Sequence, residues 1–98
     1  MDEALEAVVR GRVQGVGFRY FAQHEAAALG LTGWVANEPD GSVRCLAVGS
    51  RAALEAFAGR LRAGPASAIV ERVDLAWRPA AGESHASFGI RSGAHRGD

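Results

Sequence analysis

The run GRVQGVGFRYF, from Gly11 to Phe21, sets three glycines, an amide and two arginines between two segments of opposite character. Ahead of it, residues 5–13 (LEAVVRGRV) carry β-branched valines and read as a strand. Behind it, Phe18 to Leu29 is rich in alanine and strong helix formers. Phe18, Phe21, Ala22 and Leu29 share one helical face, and Glu25 breaks it. Gly30 closes this helix as a left-handed C-cap, with Leu31 placed to fold back. A strand passing into a helix through glycine sets the first unit of a fold that mixes the two elements.

The rest of the chain continues that pattern. GWVANEPDGSVRCLAVG reads as a hairpin: Pro39 presets the first central turn angle and Gly41 supplies a positive φ. Ser50 is a natural N-cap, and Leu54, Phe57, Ala58 and Leu61 follow at i, i+3, i+4 and i+7, so a second helix runs to Gly64-Pro65. IVERVDLAWR alternates, with Ile69, Val73, Leu75 and Trp77 on one face and Arg72, Asp74 and Arg78 on the other. The polar stretch PAAGESHA then leads to a short last strand around Phe88 and Ile90. The order β-α-β-β-α-β plus a short final strand predicts an α+β, ferredoxin-like split-βαβ fold. Its sheet is antiparallel and both helices lie on one face. One domain is expected over residues 1–91, with residues 92–98 (SGAHRGD) as a flexible C-terminal tail.

Eleven basic residues, all arginine, balance eleven acidic ones, so the formal net charge is zero. Duplex-binding proteins carry a basic excess, because neutralised phosphates supply most of their affinity; no nucleic-acid partner is expected. The single cysteine, Cys45, excludes an internal disulfide framework and a cysteine-rich metal site. The acidic N-terminus MDEALEAVVR has no apolar run long enough for a signal peptide or a membrane span. The expectation is a soluble, cytoplasmic monomer.

A glycine-lined passage from a strand to a helix N-terminus presents several backbone N–H groups in one concavity, which suits an anion. Arg19 adds a planar, permanently charged fork that matches two phosphate oxygens. The plainer reading is a glycine-rich turn beside a solvated arginine. Known nucleotide motifs do not decide between the two. Gly15-x-Gly17 is followed by Tyr20 where the dinucleotide fingerprint needs a third glycine, and no Gly-Lys-Ser/Thr follows. Asn37 likewise has two readings. It is a common strand-end turn residue, or an amide whose oxygen holds a water while its nitrogen contacts an anion.

VRGRVQGVGFR (Val9 to Arg19) and GWVANEPDGSVRCLAVG (Gly33 to Gly49) resemble the two signature segments of the acylphosphatases. The length, the element order and the closing F-x-I-R from Phe88 to Arg91 also agree. The resemblance implies hydrolysis of the carboxyl–phosphate bond of acyl phosphates, without metal or cofactor. It assigns phosphoryl binding to Arg19 and to a loop of amides over Gln14, Gly15, Val16, Gly17 and Phe18, and orientation of the attacking water to Asn37. The alternative under the same resemblance is a non-catalytic domain that binds phosphate or carbamoyl phosphate, as found inside longer hydrogenase-maturation proteins. Those proteins carry zinc-finger cysteines that this sequence lacks, so a free-standing enzyme is expected.

Other residues read as structural. His24-Glu25 starts a zinc-binding HExxH, but position 28 is Ala, and His85 and His95 have no ligand spacing. Cys45 shares a strand face with Val43 and Ala47 and reads as core rather than nucleophile. Trp34 and Trp77 read as core or sheet packing, and Arg10 and Arg12 as solvation of a strand face. An RNA-recognition module shares the architecture but needs stacking aromatics on its central strands. Here those strands carry Val, Arg, Cys and Leu.

Overall fold

A computed structural model describes residues 2–80 and 85–92. The elements follow in the order β1 (Glu3–Arg12), α1 (Phe18–Ala28), β2 (Thr32–Asn37), β3 (Val43–Gly49), α2 (Arg51–Ala63), β4 (Ile69–Pro79) and β5 (Phe88–Arg91). They form one five-stranded sheet in the order β4-β1-β3-β2-β5. The central pair is antiparallel, with Glu3 opposite Gly49 and Val9 opposite Val43. β4 flanks β1 and β2 flanks β3, both antiparallel.

β5 lies parallel to β2, from Gly33 beside Phe88 to Ala36 beside Arg91. The ferredoxin-like core is therefore antiparallel as expected, and the added strand makes the whole sheet mixed. The strand directions explain this. β4 runs opposite to β1, and β5 returns in the direction β2 already has. Phe88 fastens the added strand to α2 through an edge-to-face contact with Phe57, centroids 5.8 Å apart.

Both helices pack on one face of the sheet. α1 buries Phe18, Ala22 and Ala26, and α2 buries Leu54, Phe57, Ala58 and Leu61, against inward side chains such as Leu5, Val9 and Val35. Each large apolar side chain buried this way contributes about 1.5–3 kcal/mol. Glu25, which breaks the apolar face of α1, pairs with Arg60 of α2 at 2.8 Å. α1 ends in a Schellman turn: the Leu31 N–H donates to the Ala26 carbonyl at 2.9 Å and the Gly30 N–H to that of Ala27 at 3.0 Å. Cys45 is fully buried on β3, and burial pushes its thiol pKa up to about 12, which suits a core residue.

One expected face assignment is corrected. Val73, Leu75 and Trp77 pack on the core side of β4, but Ile69 is 58% exposed and Val70 turns inward instead. The cause is a bulge: Arg10 pairs with Arg72 and Gly11 with Val70, so Glu71 is skipped and the alternation changes phase. His95 and nearly all of the expected tail, residues 93–98, lie outside the described residues.

Candidate active site

The ladder of β1 stops at Arg12 and α1 starts at Phe18. Between them Gly15 and Gly17 take left-handed φ angles of 73° and 77°, while no described residue other than glycine has positive φ. The sign of φ therefore alternates from Gly15 through Val16 and Gly17 to Phe18. Such alternation turns successive N–H groups toward one concavity. Glycine is needed here for the backbone angle itself, because a Cβ at Gly15 or Gly17 would meet nothing within 4 Å.

The start of α1 differs from that of α2. Ser50 caps α2, its hydroxyl oxygen accepting from the Ala53 N–H at 3.2 Å. Gly17 caps α1 with no side-chain hydrogen bond, and no acidic residue occupies the first turn. The first N–H groups of α1 and the positive end of its dipole thus stay available to an anion.

In front of them lies a cavity of about 160 Å³ lined by Val13, Gln14, Gly15, Gly17, Phe18, Arg19, Tyr20 and Asn37. That is about half the smallest pocket that holds a drug-sized ligand, so it suits a small group. The Arg19 side chain is steadied by a 3.4 Å hydrogen bond from its Nη1 to the Arg91 carbonyl on β5. Asn37, at the end of β2, is only 6% exposed yet lines the same cavity. Two separate stretches of sequence therefore converge on one small space.

Two expected cradle residues have roles the sequence did not specify. The side-chain amide of Gln14 donates to the carbonyls of Glu38 at 2.8 Å and Ser42 at 2.9 Å, bridging the glycine loop to the β2–β3 turn. Val16 is not among the residues lining the cavity. Its side chain packs against the core, and its carbonyl accepts from the Ser67 hydroxyl at 2.8 Å. Val13, Tyr20 and Ser67 went unrecognised at the sequence level. Only Tyr20 carried a signal, an aromatic next to Arg19 on the polar side of a helix. His24 is exposed on α1, and no group of three His, Cys, Asp or Glu residues able to hold a metal occurs among the described residues.

A family model for acylphosphatase matches residues 5–90. The chain belongs to the acylphosphatase family. The acylphosphatase of Mesorhizobium japonicum is 56% identical over 72 residues, 74% of this chain and 77% of that protein. That of Nocardioides sp. is 46% identical over 91 residues, 93% of this chain and 90% of its own. Among solved structures, the acylphosphatase from Bacillus subtilis superposes with a TM-score of 0.86 at 39% identity, covering 91% of this chain and 98% of that one.

Proposed function

We propose that this acylphosphatase family member hydrolyses the carboxyl–phosphate bond of acyl phosphates, with water attacking the phosphoryl group inside the cavity between β1 and α1. One observation carries the reading: the alternating-φ glycine loop, Arg19 and Asn37 line the same 160 Å³ space. The backbone N–H groups from Gly15 to Phe18 and the Arg19 guanidinium hold the phosphoryl oxygens, and Asn37 orients the water. Phosphoryl transfer depends on positioning and on stabilising charge at the equatorial oxygens, which this set of donors supplies.

The reaction balances without an enzyme acid or base. The oxygen of water bonds to phosphorus while the bond from phosphorus to the bridging oxygen breaks. The acyl group leaves as a carboxylate, a weak base that needs no proton. The remaining water proton passes to a phosphate oxygen, giving dihydrogen phosphate. Arg19 and the amides supply the positive charge a metal would otherwise bring, so the proposed enzyme is metal-independent. It acts as a cytoplasmic monomer without cofactor or nucleic acid.

Phosphate release from benzoyl phosphate, measured with EDTA present, tests this reading. Wild type is expected to hydrolyse it well above the spontaneous rate. Arg19→Ala should lower kcat/KM about 10³-fold or more, and Asn37→Ala should lower kcat about 10²-fold or more. A wild-type rate no faster than the spontaneous one would sink the proposal.

A further inference from the structure

α1 presents two faces. One enters the core through Phe18, Ala22 and Ala26. The other carries Tyr20, Gln23, His24 and Ala27 at i, i+3, i+4 and i+7, and with Ser87 and Phe88 it lines an open groove of about 650 Å³. Tyr20 borders both this groove and the small cavity, so the two spaces adjoin at its ring.

The walls of the groove are fixed. The Gln23 side-chain amide donates to the Phe88 carbonyl at 3.2 Å, and the Gly33 N–H donates to the Ser87 carbonyl at 3.1 Å. Tyr20 is 70% exposed, and among the described residues only one other large hydrophobic, Ile69, is comparably open. Ile69 lies on β4 at the opposite edge of the sheet from β5, outside both spaces. An aromatic ring held in water beside a fixed groove is a ready platform for a flat or apolar group.

We propose that this groove receives the acyl group of the substrate, with the Tyr20 ring as its platform. The enzyme then favours acyl phosphates with aromatic-sized or longer acyl groups over acetyl phosphate. The inference rests on the placement of the phosphoryl group in the cavity between β1 and α1. That cavity is too small to enclose a phosphoryl group and a benzoyl ring together, so a large acyl group must extend past its mouth, which Tyr20 borders. Ala27 continues the apolar surface along the groove, Phe88 meets it from the core side while only 5% exposed, and Gln23, His24 and Ser87 supply its polar edge. An acetyl group is too short to use this surface. A ring laid against Tyr20 gains an aromatic contact on the order of tenfold in affinity.

The test compares kcat/KM for benzoyl phosphate and acetyl phosphate in wild type, Tyr20→Ala and Tyr20→Phe. Tyr20 makes no core contact that either change would remove, so both variants are expected to fold. The benzoyl-to-acetyl ratio should fall about tenfold in Tyr20→Ala and stay near the wild-type value in Tyr20→Phe. Equal losses on both substrates, or no loss on either, would overturn the groove while leaving the phosphoryl reading intact. Failure of wild type to hydrolyse either substrate would overturn both.

Discussion

The side-chain amide of Gln14 donates to the carbonyl of Glu38 at 2.8 Å, and Glu38 directly follows Asn37. The same amide reaches the Ser42 carbonyl at 2.9 Å, on the far side of the turn. Gln14 therefore ties the glycine loop to the end of β2, and with it sets the spacing between the proposed phosphoryl donors and the residue proposed to hold the water.

Gln14→Ala leaves both carbonyls without this donor. The expected cost is about 2 kcal/mol, read as a lower denaturation midpoint. As a positioning residue Gln14 should affect kcat more than KM, because the cradle amides remain while Asn37 loses its fixed distance from them. Loss of stability with kcat unchanged would make the clamp purely structural.

Two glycines of the same segment should respond differently to alanine. At Gly11, where β1 meets the β4 bulge, a Cβ would sit 2.2 Å from the Ile69 carbonyl oxygen and 2.8 Å from the Glu71 nitrogen, both backbone atoms. Gly11→Ala is expected to destabilise the fold by about 3 kcal/mol or more. Gly17→Ala meets open space and pays only for its left-handed angle, about 1–2 kcal/mol. Its main expected effect is on activity, through a displaced N–H at the start of α1. Urea denaturation of the two variants, beside their phosphate release, checks the contrast.

Asp40 gives the turn a pH dependence. Its carboxyl accepts from the Ser42 hydroxyl at 2.6 Å and the Ser42 N–H at 2.9 Å, and it pairs with Arg10 at 3.1 Å. These contacts, the Ser42 hydroxyl first, lower its pKa from 3.8 to about 2. A carboxyl whose pKa falls on folding stabilises the native state above its unfolded pKa and loses that contribution as pH drops through the folded value. The contribution is therefore complete above about pH 4 and fades between there and about pH 2. Asp40→Asn should flatten the fall of the melting temperature across that acid window. An unchanged slope would mean that the carboxylate contributes nothing to the turn.

Local pattern made much of this architecture legible before any coordinates. The second helix declared itself through Ser50 and the Leu54–Leu61 stripe, and the hairpin through Pro39 and Gly41. That a side chain at Asn37 can reach the glycine loop followed from the split-βαβ order, whose second strand lies beside the central pair, and the motif resemblance supplied the roles of Arg19 and Asn37. The misplacement of Ile69 has a similar origin. Alternation within β4 continues through Glu71, and only pairing with Gly11 across the ladder reveals the bulge. The Gln14 clamp and the Arg19–Arg91 contact both end on backbone carbonyls, and a carbonyl leaves no mark in a sequence. Tyr20 follows Phe18 and Arg19 in the sequence, and the phase of α1 turns its ring away from the core that Phe18 enters.

The central claim is that water attacks phosphorus, not the acyl carbon, while the cradle holds the phosphoryl group. Hydrolysis of benzoyl phosphate by wild type in ¹⁸O-labelled water tests it most directly, with mass spectrometry of both products. The account predicts one labelled oxygen in the released phosphate and none in the benzoate. Label in the benzoate would place the attack at the carbonyl and contradict the roles given to Arg19, Asn37 and the glycine loop.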